Sequence, residues 1–251
     1  MPFNQRKNHT LLILFILVIL FNASGSFAQK LSMAEAKHAG DSIIPEAILP
    51  FWQSLTLKEK VAQTLMVYMP SASYIKKHQF GGVLIMKPHL KDTLHLKEEL
   101  SLANESLKIP LLTAIDQEGG QVNRLQAISP EWKNLPSAKE MRTMTDDSVY
   151  NLAKQIGNAL HHYGINLNLA PVLDPPKDSK GKPSFIEVSN RSFGEFETAV
   201  PKIRSFVKGM KESKVLSTSK HFPGYDSWTN SDHQIAFSTS SKDVILKNVE
   251  L

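Results

Sequence analysis

The stretch from Lys220 to His233 holds three nitrogen bases or ammoniums, Lys220, His221 and His233, and two carboxylates, Asp226 and Asp232. Imidazole titrates near neutrality, so such a cluster can grip polar groups and also carry a proton through a reaction cycle. His233 is the candidate acid/base, because Asp232 beside it is a carboxylate placed to orient the ring and raise its basicity. A second cluster, Asp116-Gln117-Glu118-Gly119-Gly120, puts two carboxylates ahead of a glycine pair. Paired glycines let a backbone approach a ligand closely, and a carboxylate there can accept hydrogen bonds from two adjacent hydroxyls, as a sugar presents them. Glu118 has a structural reading as well, as an internal ion-pair partner for Arg124. Arg191, within Asn190 to Gly194, offers a planar donor fork suited to hydroxyls or carboxylates. His161 and His162 fall late in a helical pattern and read as helix-end charge complementarity. His221 and His233 lack compact metal-ligand spacing, so neither a metal nor another cofactor is expected.

The elements that position these groups follow a strand, helix, strand, helix rhythm. Val215 to Ser219 is a β-branched run that reads as a buried strand directly before Lys220, and Leu111 to Ile115 is another directly before Asp116. Leu65 to Met69, Val83 to Met86 and Asn166 to Ala170 complete about five strand candidates. Between them, capping-box spacing at Thr56/Glu59 and Ser137/Glu140 marks helix starts, with Leu57, Val61 and Leu65 recurring at helical intervals after the first. Val149 to Tyr163 is a helix stopped by Gly164, and Ala199 to Lys211 is an amphipathic helix. The alternation predicts an α/β fold with a parallel sheet, either open and doubly wound or closed as a barrel. Polar clusters after three different strands, at Asp116, Asp174 and Lys220, favour the barrel, with all three facing one mouth.

Composition bounds the partners. A 41% hydrophobic fraction in 251 residues is enough for one large core. The net charge of +5 includes Arg6 and Lys7 of the leader, and no basic run is interleaved with aromatics, so nucleic acid is not an expected partner. Arg6 and Lys7, the apolar run Leu11 to Phe21 and the small residues around Ser26 to Ala28 predict a cleaved signal peptide over residues 1–28. That apolar run is shorter than the roughly 20 residues needed to span a bilayer, so no stable membrane span is expected after cleavage. The protein is therefore expected to be exported, periplasmic or extracellular. The absence of cysteine excludes disulfides and thiolate metal sites.

Several ordered blocks together resemble glycoside hydrolase family 3, in its bacterial β-N-acetylglucosaminidase (β-hexosaminidase) branch: Leu55 to Val61, Ala114 to Gly120, Asn168 to Asp174, Arg191 to Gly194 and Lys220 to Gly224. The resemblance covers Leu55 to about His233. It implies a (β/α)8 TIM-like barrel, of which residues 29–251 supply the N-terminal portion with only about the first five β/α units. It also implies a retaining, exo-acting hydrolase that removes terminal β-N-acetylglucosamine, with a carbohydrate partner such as a peptidoglycan fragment or glycan and a role in carbohydrate metabolism or cell-wall turnover. By the same resemblance the sugar is held by Asp116, Arg124, Arg191, Lys220 and His221. The acid/base is a His on the loop after Lys220 to Gly224, which falls on His233.

The sequence departs from that family at three points. Its usual Asp-Ser-His order appears as Ser231-Asp232-His233, its usual His after Pro-Gly is Tyr225, and its usual Arg after Glu-Gly-Gly is Gln121. On an extended segment, residues one and two before His233 point to different sides, so Asp232 takes the acid's role only with local rearrangement. The family's nucleophile is an Asp on a later strand, which would lie beyond Leu251. These residues are accordingly expected to be inactive by themselves. The alternatives are a degenerate carbohydrate-binding relative without catalysis and a family 3 β-glucosidase.

Overall fold

The computed structural model describes residues 46–222, 224–231, 233–235, 238 and 241–243. The signal peptide expected over residues 1–28, and Asp232, lie outside the described residues. The chain divides into two units, Met1–Met66 with Lys77–Gly81, and Val67–Lys76 with Gly82–Leu251.

In the first unit, helices α1 (Leu49–Ser54) and α2 (Leu57–Gln63) are described. The start of α2 is fixed by the expected capping box. The Thr56 hydroxyl accepts from the Glu59 amide, and the Glu59 carboxylate accepts from the Thr56 amide at 2.7 Å. The apolar stripe that announces this helix is not its buried face: Leu57, Val61 and Leu65 are exposed, whereas Lys60 and Ala62 are buried. Lys60 lays its ammonium over the Trp52 ring, 5.1 Å from the centroid, which lets its stem stay covered while the charge keeps a partner.

The second unit carries the sheet. Its strands are β1 (Met66–Tyr68, entering from the first unit), β2 (Gly82–Ile85), β3 (Leu112–Ile115), β4 (Leu167–Asn168) and β5 (Leu216–Ser217), in the order β1-β2-β3-β4-β5. The pairs β2/β3, β3/β4 and β4/β5 are parallel. The helices are α3 (Ala72–His78, whose last two residues belong to the first unit), α4 (Thr93–Asn104), α5 (Ala138–Met141), α6 (Asp146–His162), α7 (Phe185–Val188) and α8 (Phe196–Glu212).

Strand order resolves the choice between two architectures. A doubly wound sheet reverses its order at a switch point and carries helices on both faces, whereas five strands in unbroken sequence order have no such point. Right-handed crossovers of one sense then place successive helices on one face, as in the arc of a barrel. Val83, Ile85 and Ile115 pack with Leu96 and Leu100 of α4, Val149, Ala153, Ile156 and Leu160 of α6, and Phe206 and Met210 of α8 in one buried cluster. Truncating a fully buried ring such as Phe206 to Ala would cost about 3–5 kcal/mol. The α6/α8 contact is close: a Cβ on Gly209 would lie 2.5 Å from the Tyr150 carbonyl oxygen, so only glycine lets these helices approach.

Two runs expected to be buried strands each carry an exposed leucine. Val215 is buried, but Leu216 is 59% exposed, so the run before Lys220 is covered on one face only. Leu112 of β3, inside the strand order, is likewise 42% exposed, so position at the end of the order is not the cause; a strand reads as buried on both sides only where both faces of the sheet are covered.

Candidate functional site

The site is built where strands β3, β4 and β5 end. Asp116 follows β3 directly, and the segment after it is held by buried amides. The Asn168 side chain on β4 accepts from the Gln117 amide at 3.0 Å and donates to the Gln117 carbonyl at 2.9 Å. The Gln117 side chain in turn accepts from the Arg124 and Leu125 amides at 2.8 and 3.0 Å, and donates to Asn123 at 3.2 Å. Gln117, Asn123 and Asn168 are fully buried, so these bonds form without competition from water. The turn between them needs glycine: Gly119 has φ +95°, and a Cβ there would lie 2.1 Å from the Pro136 carbonyl oxygen. With Gln117 turned inward, Asp116 and Glu118 line a cleft of about 360 Å³ with Arg124, Arg191, Lys220 and His221.

Four charged groups in this cleft are paired. The Lys220 ammonium lies 2.6 Å from Asp116 Oδ1 and 2.7 Å from Glu118 Oε1. Arg191 clasps Glu118 with two parallel bonds of 2.8 Å, from Nε and Nη2. Burial alone pulls the Arg191 guanidinium down, but its hydrogen bonds to Glu118 and the charges of Glu118, Asp174 and Asp116 outweigh this and hold its pKa above the usual value. The expected Glu118–Arg124 pair does not form in this arrangement. Glu118 is 6% exposed, and its oxygens are filled by the fork of Arg191 and by Lys220, which satisfy a buried carboxylate better than one further cation. Arg124 lines the same cleft with its Nε buried and without a hydrogen-bond partner.

Asp174, which sequence reasoning noted as a strand-end acid without giving it a role, organises the other side. It is 2% exposed. Its Oδ1 accepts from the backbone amides of His221 at 3.0 Å and Tyr225 at 2.7 Å, and its Oδ2 faces His221 Nδ1. An ionised carboxylate only accepts, so Nδ1 carries the proton and Nε2 is left for a ligand. The Ala170–Pro171 and Lys220–His221 peptides on either side are both cis. Behind Arg191, Arg142 donates to the Ser192 carbonyl and to Glu187, each at 2.7 Å, and Lys139 lies 3.2 Å from the same Glu187. Burial alone pushes the Glu187 carboxyl up, but Arg142 and Lys139 outweigh it and hold it below its usual range. Neither Arg142 nor Glu187 was legible beforehand, since α5 and α7 meet only in the folded chain.

The structure thus brings Asp116, Arg124, Arg191, Lys220 and His221 to one cleft. His233 is exposed and is not among the residues lining it, although Asn230 and Ser231 are. The backbone leading to it is tethered: the Ser231 amide donates to the Tyr225 hydroxyl at 3.1 Å, and the His233 amide donates to the Asn230 carbonyl at 3.1 Å. Chemically, the cleft offers strong donors and acceptors, with Lys220 and Arg191 matched to Asp116 and Glu118 and with Arg124 as a further cation, beside the apolar surfaces of Val122, Phe185 and Ile186. The paired groups suit a ligand rich in hydroxyls, and Arg124 adds a donor fork not engaged by Glu118.

Known proteins share this chain's pattern. The family model for the glycosyl hydrolase family 3 N-terminal domain matches residues 56–251. The Beta-hexosaminidase LpqI of Mycobacterium tuberculosis is 28% identical over 203 residues, which are 75% of this chain and 48% of LpqI. The solved LpqI structure aligns with TM-score 0.61, covering 73% of this chain and 53% of that one. Beta-hexosaminidase A of Pseudoalteromonas piscicida is 34% identical over 160 residues, 60% of this chain and 26% of the relative. The structure of a family 3 β-N-acetylglucosaminidase from Paenibacillus sp. str. FPU-7 aligns with TM-score 0.64 at 27% identity, covering 76% of this chain and 38% of that one. The chain therefore spans about half, or less, of the length of these relatives. Both structural matches carry the same α/β barrel type, of which five strands are described here.

Proposed function

Because the chain belongs to glycosyl hydrolase family 3, we propose that its cleft holds the terminal β-N-acetylglucosamine of a glycan and that the protein is an exo-acting, retaining β-N-acetylhexosaminidase. The observation that carries this reading is the paired cluster of Asp116, Lys220, Glu118 and Arg191, with His221 turned to the same cleft by Asp174. Asp116 accepts from neighbouring sugar hydroxyls, while Lys220, Arg191 and Arg124 donate, and His221 Nε2 takes one further hydroxyl.

In the proposed cycle His233 protonates the departing glycosidic oxygen, and a carboxylate attacks the anomeric carbon to form a glycosyl-enzyme. The now neutral imidazole then takes a proton from water, which releases the sugar with its configuration retained. The family resemblance assigns the attacking carboxylate to an Asp of a later strand, while Asp116, Glu118 and Asp174 pair with Lys220, Arg191 and His221. Binding is then the property the described residues carry, and hydrolysis the property that needs that further group. Asp232 is the proposed partner of His233. Export and a role in turnover of peptidoglycan or other glycans complete the reading.

One observation favours a second reading, a carbohydrate-binding relative without catalysis: His233 lies outside the cleft lining while the sugar-gripping residues are in place. Hydrolysis of a chromogenic N-acetylglucosaminide and of the matching glucoside, by the protein extended to the length of its relatives, separates the readings. Turnover of the first substrate in preference to the second is expected, and its abolition by His233→Ala. Binding of N-acetylglucosamine without turnover would leave the binding module standing.

A further inference from the structure

The fork that joins Arg191 to Glu118 needs two backbones, 73 residues apart, to be held at one spacing. Helix α5 touches both. On one side, the turn that carries Glu118 rests on the residues entering α5: the Gly120 amide donates to the Leu135 carbonyl at 3.0 Å, and a Cβ on Gly120 would lie 2.7 Å from the Ser137 Cβ. On the other side, α5 grips the chain before and after Arg191. The Lys139 amide donates to the Asn190 carbonyl at 3.2 Å, and Nη2 of Arg142, at the C-terminal end of α5, donates to the Ser192 carbonyl at 2.7 Å.

The Arg142 head is itself held in place. Glu187 accepts from the same Nη2 at 2.7 Å, and its other oxygen lies 3.2 Å from Lys139 Nζ. Gly194, at φ +104°, leaves room for the guanidinium where a Cβ would lie 3.1 Å from Nε. Ser192 is fully buried, so without Arg142 its carbonyl would lose a charged donor that water does not readily replace. Yet Arg142, Lys139 and Glu187 are not among the residues lining the cleft. A ligand there feels them through the segment that carries Arg191.

We propose that α5 is a bracket that sets the sugar grip, with Arg142 as a positioning residue that touches no sugar. Two of the five N–H groups of Arg191 bond Glu118, and the bracket fixes where the remaining ones point. A bidentate pair tolerates little shear, because its two parallel bonds share one plane. Freed from Arg142, the 190–194 segment would relax and the fork would open to a single bond. Arg191 would then present its donors to sugar hydroxyls in many orientations instead of one. The bracket rests on contacts within the fold, and its use for a sugar rests on the proposed function.

The test is nitrogen NMR and calorimetric titration of the full chain, of Arg142→Met and, as a control for lost stability, of Ile156→Val, a core truncation outside the cleft. Hydrogen exchange of the Arg191 Nε–H, assigned by its loss in Arg191→Lys, should be about tenfold faster in Arg142→Met and within about twofold of the parent in Ile156→Val. Affinity for N-acetylglucosamine should be about five- to tenfold weaker in Arg142→Met and within about twofold in the control. If Arg142→Met does not fold, Arg142→Lys, which keeps a cation for Glu187 without the planar fork, carries the same comparison with about a threefold change expected. Arg191 exchange that stays within twofold of the parent's overturns the bracket, and faster exchange with unchanged sugar affinity overturns its part in the grip. If exchange responds as expected but the parent binds no N-acetylglucosamine, the bracket stands and the proposed function fails.

Discussion

Replacing Glu118 by Gln keeps the side chain's shape and removes its charge, which isolates what the ion cluster does. The Glu118 side chain is 5% exposed, and those of Arg191 and Lys220 are 18% and 15% exposed, so all three are shielded from water. Removing one partner of a buried pair leaves uncompensated charge and costs about 3–5 kcal/mol. Gln keeps one acceptor oxygen, so the lower end applies, about 3 kcal/mol. At about 2–4 °C per kcal/mol for a chain of this size, the melting temperature should fall by about 6–12 °C. Denaturant and thermal unfolding at pH 7 measure this. A double-mutant cycle with Arg191→Met then asks whether the loss belongs to the pair: removing the stranded guanidinium should return about 1–3 kcal/mol as coupling. A Glu118→Gln protein within about 0.5 kcal/mol of the parent, the range of an ordinary surface substitution, would refute the account of Glu118 as the keystone of the cluster, as would strict additivity in the cycle.

Two further perturbations follow from the same network. Glu187 titrates below its usual range in the fold, so its contribution to stability is present above the ordinary carboxylate pKa and is lost as pH falls through the depressed value. Glu187→Gln should cost about 1.5 kcal/mol at pH 7 through its lost charged hydrogen bonds, and the gap to the parent should close on acidification in paired unfolding curves; a gap constant with pH contradicts the assignment. Asp174→Asn presents an amide N–H to His221 Nδ1, which should move the ring proton to Nε2, visible in nitrogen NMR, and weaken sugar binding about tenfold, or 1.4 kcal/mol. An unchanged tautomer would mean that Asp174 does not set it.

Capping and strand-end signals are legible in the sequence, whereas burial and long-range pairings are not: Leu57, Val61 and Leu65 form an apolar stripe yet are exposed. The capping boxes at Thr56/Glu59 and Ser137/Glu140 are three-residue devices, and both form as their spacing implies. Strand runs followed by ionisable residues were equally legible, because the end of a parallel strand is where a chain can afford polar groups. The partner of Glu118, by contrast, is Arg191, 73 residues away, and no feature within the 116–124 segment discriminates it from the nearer Arg124. Asp174 looked like one acid among several until the fold put His221 and Tyr225 against it. Leu216 has the composition of a buried strand residue and is exposed because cover depends on what lies across the sheet. The choice between a barrel and a doubly wound sheet likewise needed strand order, which no single segment encodes.

The central claim is that the cleft of Asp116, Arg191, Lys220 and His221 recognises a terminal N-acetylglucosamine. Titrating the isotopically labelled full chain with that sugar tests it most directly. Saturable NMR shifts at the Arg191 guanidinium, the Lys220 ammonium and the His221 ring are predicted, and they should be lost in Asp116→Asn. Shifts confined to residues away from the cleft, or none at sugar concentrations of tens of millimolar, would contradict it.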